Sequence, residues 1–233
     1  MNIKQTVTDR AYGQIKTLII NLELKLGQRI DIKELANRFN ISQTPIREAL
    51  SLLVKDELLE YKPRQGYYVV NLSYHDIEEI YELRELIECF ALKQALKKDN
   101  IDKGVFNHIL VESKSIQKEV NEEKKLFYYH ILGRELHLNI VKSSSNNKLY
   151  NMYLKIYPIV NITQNLDKMY EASLCEHIQI TQNILNCALS KLNCDILKAV
   201  NFLRRHINNG KKRGLIVFKQ YSERENKKFL KKY

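Results

Sequence analysis

The first third of the chain has the apolar spacing of three short helices. Over residues 7–22, apolar side chains recur every three or four positions, which places them on one helix face. Asp31 is a suitable N-cap for a second helix that ends at Phe39. A third helix is predicted from Thr44, acting as its N-cap, to Lys55, with Pro45 in the first turn, where a missing N–H is harmless.

Two short runs rich in apolar and aromatic residues follow, at 58–62 and 67–70. The segment PRQG at 63–66 lies between them, and Pro and Gly at these positions predict a tight turn. Three helices followed by a β-hairpin form a winged helix-turn-helix, which we assign to residues 1–72.

From residue 73 the pattern becomes helical throughout. Ser73 followed by Asp76 has the form of a capped helix start. Helices are predicted at 74–98, 102–120, 124–143, 148–163, 171–190 and 195–209. The predicted fold is therefore mainly α, with a winged helix-turn-helix followed by an antiparallel helical bundle over residues 73–210 that binds ligand and dimerises.

Charge is concentrated at the C-terminus. Net charge is +3 over residues 1–72, +1 over 73–210 and +7 over 211–233. Basic ends indicate a polyanionic partner, either nucleic acid or an anionic membrane face. The basic segment 211–233 also contains spaced apolar residues, so both an amphipathic helix and a mobile tail remain open.

Composition excludes several classes of protein. No apolar run approaches the roughly 18 residues of a membrane span, and the N-terminus lacks the pattern of a signal peptide. We therefore expect a cytoplasmic protein without a membrane partner. The four cysteines form no C-x-x-C pair and are expected to be buried thiols.

Polar residues in the first turn of the third helix have side chains that can recognise DNA bases. The second helix of a helix-turn-helix presents its first turn to the major groove. Gln43 can bind adenine, Thr44 can bind phosphate or a thymine methyl, and Arg47 can pair with guanine. Arg64 and Gly66 lie at the predicted wing tip, where an Arg can follow the neighbouring backbone or minor groove. The alternative is a solvated helix face.

One arginine lies on an inward helix face of the bundle. Arg84 falls in line with Ile77, Ile80 and Ile87, and a buried guanidinium needs a partner. It could hold the carboxylate of an effector, or it could form a structural ion pair with an inward acid. The sequence favours neither alternative.

Three histidines lie on inward faces of three different predicted helices: His137, His177 and His206. Neutral imidazoles on converging helices can bind a divalent metal such as Zn or Ni. A single inward histidine is more often a satisfied core residue, and this reading stays open for all three.

Several runs resemble the GntR family of bacterial transcription regulators: LGQR at 26–29, DIKELA at 31–36, SQTPIREAL at 42–50 and GYYV at 66–69. The helical remainder resembles the FadR-like (FCD) branch. The resemblance implies a homodimer on a pseudo-palindromic operator and a small-molecule effector. It also implies that six residues lie at the DNA: Arg38, Gln43, Thr44, Arg47, Arg64 and Gly66.

The metal-binding members of that branch are similar around the three histidines, and the resemblance implies that Asn146 lies at the effector site with Arg84. These relatives carry an Asp four residues before the first histidine, where this chain has Gly133. The separation of His177 from His206 is about seven residues longer than usual. Either an insertion lengthens the connection, or His177 lies two turns away from the site, with His130 as a substitute ligand.

Two departures lie in the winged domain. Many relatives carry Arg at the positions of Gln43 and Ser51, which indicates a different base preference here. A Gly usually follows the recognition helix where this chain has Glu57, so the local turn is open to question.

The best-supported hypothesis is a dimeric, ligand-responsive DNA-binding repressor that is not an enzyme. It would sense a small organic or sugar acid, through a divalent metal if the histidines converge. The alternatives are a constitutive regulator with a filled pocket and no metal, a metalloenzyme on the bundle, and a non-specific binder acting through the basic segment.

Overall fold

The computed structural model describes residues 6–167, 170–190 and 195–230, with side chains described up to residue 224. The winged domain contains α1 (Val7–Ile20), α2 (Ile32–Phe39), α3 (Gln43–Lys55), β1 (Leu59–Lys62) and β2 (Gly66–Val69). The helices that follow are α4 (Tyr74–Lys97), α5 (Lys103–Gln117), α6 (Glu122–Ser143), α7 (Asn147–Leu166), α8 (Tyr170–Leu189) and α9 (Ile196–Leu230). The predicted fold class is confirmed.

The winged domain is held by the apolar faces of its three helices. Ile15 of α1 packs with Ile46, Leu50 and Leu53 of α3, all with no exposed surface. Strands β1 and β2 pair antiparallel, from Leu59 opposite Val69 to Lys62 opposite Gly66. Arg29 adds an isolated bridge to Tyr68, which ties the segment before α2 to the wing.

The start of the recognition helix differs from the prediction. Helix α3 begins at Gln43, and its N-cap is Ser42, which has extended backbone dihedrals and makes no side-chain capping bond. Thr44 was expected to be the N-cap, but it already lies inside the helix. Glu57 takes the turn after α3 with φ of 58°, so the conformation usually supplied by Gly is adopted here by a Glu.

The starts of α2 and α4 agree with the prediction. Asp31 accepts hydrogen bonds from the backbone N–H groups of Lys33 and Glu34. Ser73 and Asp76 form a reciprocal capping box at the start of α4. These caps set the direction of both helices as they leave their loops.

The two parts of the chain share a continuous apolar core. One cluster of buried residues includes Ile15 of α1, Leu72 of the linker, Ile77 of α4 and Phe218 of α9. Asn165 of α7 also donates a hydrogen bond of 3.0 Å to the backbone carbonyl of Ile20. The helical bundle therefore packs directly on the winged domain, although the boundary at residue 72 stays a prediction.

The described part of the basic C-terminal segment is helical. Helix α9 continues without a break through residue 211, where we expected a separate segment to begin, and reaches Leu230. The amphipathic-helix alternative therefore applies. Within the described residues, no helix is both long enough and apolar enough to cross a membrane.

The prediction for the cysteines holds only in part. Cys89 is a buried free thiol, but Cys175 is exposed. Cys187 is disulfide-bonded, so the thiol prediction is wrong there. Cys194 lies outside the described residues.

Candidate metal centre and nucleic-acid interface

The three predicted histidines converge at the centre of the bundle. His137 of α6, His177 of α8 and His206 of α9 are all buried. Their Nε2 atoms form a nearly equilateral triangle, with separations of 3.3 Å from His137 to His177, 3.2 Å from His177 to His206 and 3.2 Å from His206 to His137. His177 therefore does not lie two turns from the site, and that alternative is wrong.

Two carboxylates orient this triangle from outside. Nδ1 of His137 lies 2.6 Å from Oε2 of Glu88, and Nδ1 of His206 lies 2.7 Å from Oε2 of Glu176. An ionised carboxylate only accepts hydrogen bonds, so each Nδ1 carries the proton that it donates. In a neutral imidazole of this tautomer, Nε2 has a bare lone pair that points into the triangle.

Arg84 forms a structural ion pair with an inward acid, which was one of the two roles predicted for it. Its Nε donates to Oε1 of Glu88 at 2.7 Å, and both side chains are almost completely buried. Tyr153 donates its hydroxyl to the same oxygen at 2.8 Å. The Nη2 atom of Arg84 is buried without a hydrogen-bond partner among the described residues, so it can still receive a ligand.

Burial keeps the three imidazoles neutral. It lowers the pKa of His137 to about 4, although Glu88 opposes that shift. It also lowers the pKa of His206, against the opposing hydrogen bond to Glu176, and holds the pKa of His177 well below its usual value. Burial alone would raise the pKa of Glu88, but Arg84 and His137 outweigh it and hold the value at about 2. The site is thus neutral imidazole beside ionised carboxylate, the state in which histidine binds metal.

The triangle has the dimensions of a tetrahedral metal site. Three nitrogens at corners of a tetrahedron, each 2.0–2.1 Å from zinc, are separated by about 3.3 Å. Without an ion, the bare Nε2 atoms of His137 and His206 would face each other at 3.2 Å with no proton between them. His177 could donate a proton to only one of them. The residues therefore fit a divalent metal better than they fit a satisfied core.

The missing side chain at Gly133 leaves room for the ring of His177. A Cβ at Gly133 would lie 2.8 Å from Cε1 of His177, closer than real Cβ contacts. On its other side, the ring of His177 stacks on Tyr129 with centroids 5.5 Å apart and an interplanar angle of 11°. An Asp at residue 133 and His177 in this position are therefore incompatible. His130, suggested as a substitute ligand, does not belong to the histidine cluster of the described residues.

A small cavity has His206 and Arg84 in its lining. It is lined by polar groups that include Thr163, Ser173 and Arg213, and its volume of about 10 Å³ holds no more than one water. Asn146 does not reach it, because its side chain caps α7 by accepting from the N–H of Leu149. The expectation that Asn146 contacts the effector has no support from its contacts.

A second candidate site lies between the recognition helix and the wing. A cleft there brings together Gln43 and Arg47 of α3 with Arg64 and Gly66 of the turn. Arg64 adopts φ of 64° and Gly66 φ of 102°, which make the tight turn that presents the Arg. The structure thus brings four of the six predicted DNA residues to one surface.

The other two predicted DNA residues lie outside this cleft. Thr44 is exposed in the first turn of α3, and Arg38 pairs with Glu23 at 2.8 Å. The cleft also contains two cations that the sequence pattern missed, Arg29 and Lys33. Arg29 is placed in the cleft by its backbone bridge to Tyr68 of the wing, a contact that the sequence pattern does not predict.

Comparison with known proteins agrees with the fold of both parts of the chain. Residues 7–69 match the gntR family of bacterial regulatory proteins. An uncharacterized HTH-type regulator, YdhC of Bacillus subtilis, is 29% identical over 74% of this chain and 78% of its own length. The gluconate operon transcriptional repressor of Bacillus licheniformis is 24% identical over 65% of this chain and 60% of its own. The metal-free FCD domain of TM0439 covers 64% of this chain and 99% of its own at a TM-score of 0.55 and 20% identity, which shows the fold.

The gntR-family match over the winged helix-turn-helix and the names of these relatives define the class as DNA-binding transcription regulators. Residues 7–69 of this chain form a DNA-binding domain of the gntR family.

Substituting Gly133 tests the close packing of the histidine site. We expect Gly133→Ala to destabilise the protein by about 1–3 kcal/mol, because the added methyl must displace His177. Gly13→Ala is the matched control, since Gly13 is also helical but has nothing within 4 Å of a built Cβ. That variant should be stabilised by about 0.5–1 kcal/mol. Urea denaturation measures both, and equal effects would contradict the packing argument.

Stability of the metal-free protein should fall as pH falls from about 6.5 towards 4. Each buried histidine has a lowered pKa, so below the unfolded value of 6.5 the unfolded state binds protons that the folded state refuses. Each histidine lowers the free energy of unfolding by up to about 1.4 kcal/mol for every pH unit of acidification across this window. Urea denaturation of chelator-treated protein at several pH values measures the slope. The His137→Asn variant should have a smaller slope, whereas the exposed control His75→Asn should keep the wild-type slope. A free energy of unfolding that does not change with pH would contradict neutral buried imidazoles.

Proposed function

We propose that this regulator binds an operator as a homodimer and that its histidine triangle holds a divalent metal, Zn or Ni. The observation that carries the metal proposal is the pair of bare Nε2 atoms 3.2 Å apart on His137 and His206. Each ring donates its Nδ1 proton to its own carboxylate, so turning either ring away would break a hydrogen bond to a charged group.

The proposed effector is a small organic or sugar acid. A metal held by three imidazoles supplies an open position that takes a carboxylate oxygen. Arg84 and Arg213 line the adjoining cavity. Arg213 is already paired with Asp167, so the buried Nη2 of Arg84, which has no hydrogen-bond partner among the described residues, is the group that favours an anion. The relative named as the gluconate operon repressor supports a sugar acid and repression.

The small cavity favours a second candidate, a constitutive regulator with a filled pocket. A cavity of about 10 Å³ cannot take an organic acid unless side chains move. Operator affinity, measured with and without zinc and with gluconate as the acid, separates the two candidates. Affinity unchanged by zinc, gluconate or both would support the constitutive regulator and would contradict sensing of this acid through the metal.

An apolar surface on the bundle supports the homodimer. Leu83, Leu86 and Phe90 of α4 are 41%, 68% and 47% exposed, at the spacing of one helix face. Met152 of α7, the helix that packs beside α4, is 55% exposed. Contiguous exposed apolar groups of this kind mark association surfaces, and we assign this face to the second copy of the chain.

The winged domain is the proposed operator reader. Gln43 and Arg47 face base edges, while Arg64 follows the neighbouring backbone. The junction over residues 71–75 is the proposed element through which effector binding changes operator affinity, since it joins the wing to α4. A ligand has this effect only if it binds the two conformations unequally.

Metal content is the first test of the triangle. Elemental mass spectrometry of tag-free protein, after zinc incubation and desalting, should find about one metal per chain. His137→Ala should lose it, because one of three ligands is gone. His130→Ala is the matched control on the same helix and should retain the metal. Wild-type protein without metal, or equal loss in both variants, would refute the proposed site.

Disrupting the apolar surface should separate dimer formation from base reading. We expect Leu86→Lys to sediment as a monomer and to bind a two-half-site operator more weakly by at least about tenfold, while single half-site binding is unchanged. Arg47→Gln should remain a dimer and lose affinity for both duplexes, by about 1–3 kcal/mol per half-site. A Leu86→Lys variant that remains dimeric would show that another surface is used.

A further inference from the structure

Helix α9 runs antiparallel to α4 and towards the winged domain. Three contacts mark its course: Arg204 pairs with Glu85 at 3.0 Å, Lys211 with Glu82 at 2.9 Å, and the ring of Phe218 meets Tyr74 at 5.5 Å. Along these three contacts the residue numbers rise in α9 and fall in α4, so the two helices run in opposite directions. Since α4 begins at Tyr74, α9 passes the start of the bundle at Phe218 and continues beyond it.

The end of α9 is anchored at the foot of the wing. Phe218 is only 2% exposed, and Tyr221 packs against the same core. Both line a cavity whose opposite wall is formed by residues 25–28 of the winged domain and 71–74 of the linker. From Tyr221 the helix continues to Leu230, a further length of about 13 Å at 1.5 Å per residue.

The exposed face of this end is basic. Residues 211–233 contain nine Lys or Arg and two Glu. Lys211 and Arg213 are paired with acids of the bundle. Lys219 and Arg224 are exposed, and neither forms an ion pair within the described part of the chain. Lys211 and Arg213 are thus neutralised at the bundle, whereas Lys219 and Arg224 lie past the anchor.

The packing of the apolar face distinguishes between two polyanions. An amphipathic helix binds a membrane by inserting its apolar face between lipids. Here Phe218 is buried, and Leu215 and Tyr221 pack against the protein core, so that face is already covered. The described side that stays exposed carries Ile216 and Glu223 as well as two cations, Lys219 and Arg224. These cations lie beside a DNA-binding domain and can bind backbone phosphates.

We propose that α9 from Lys219 to Arg224 is a second DNA-contacting element that binds backbone phosphates beside the half-site bound by the winged domain. Such contacts carry no sequence information. They add affinity and salt dependence, and they extend the stretch of DNA that the protein covers. The inference rests on operator binding by the winged domain and is independent of the metal.

The test is the salt dependence of operator binding by the full chain. We would compare wild type with Lys219→Gln/Arg224→Gln on an operator carrying about ten extra base pairs on each side. Losing phosphate contacts should reduce the slope of log affinity against log salt by about 1–2. Affinity for the operator and for a scrambled duplex should fall by the same factor. On a duplex trimmed to the half-sites, wild type and variant should bind alike.

Lys114→Gln/Lys118→Gln is the matched control, since it removes the same charge from exposed positions in the last turn and at the C-cap of α5. Its slope should equal that of wild type. A slope unchanged in the α9 variant, or reduced equally in the control, would overturn the proposal. Loss of binding to phosphatidylserine vesicles with an unchanged DNA slope would assign the segment to membranes instead. Wild type that does not prefer operator over scrambled DNA would refute the proposed operator reading itself, which is a separate failure.

Discussion

The buried carboxylate of Glu88 is the constraint on which the centre of the bundle depends. One of its oxygens accepts from Arg84 and Tyr153, and the other accepts from His137. Together these contacts join α4, α6 and α7 around one charge that has no access to solvent. Removing any donor would leave that charge under-compensated, at a cost of several kcal/mol. The helices are therefore held in one register, and that register aims Nε2 of His137 at the triangle.

The arrangement of His177 shows how a site can keep its shape while its ligand set changes. Relatives with a metal site were expected to carry an acid where this chain has Gly133. Here the imidazole from α8 fills the volume that such a side chain would need, and Tyr129 supports the ring from behind. Three nitrogens and no carboxylate then face the centre, so an anion that reaches the site meets less negative charge.

Much of the fold was predictable because its signals are local. The caps at Asp31 and Ser73 and the inward stripes placed the starts of the helices to within a few residues, and the turn with Gly66 placed the wing. The end of α9 was missed, since the helix reaches Leu230 and not residue 209. Convergence of the three histidines was only a hypothesis, since spacing fixes a helix face but not the distance between helices. The partner of Arg84, the fit of Gly133 against His177 and the position of Arg29 beside the wing depend on residues far apart in sequence. No local pattern contains them.

Helix α9 physically connects the histidine triangle of the bundle with the linker beside the winged domain. His206 of the triangle and Phe218 at the foot of the wing lie on one unbroken helix, about 18 Å apart at 1.5 Å per residue. A helix of this length behaves as a rigid rod on the scale of side-chain movements. A movement of the helix along its axis at His206 therefore displaces Phe218 by the same distance. The proposed metal ligand and the residue packed beside the linker are parts of one element, with no intermediate contact between them.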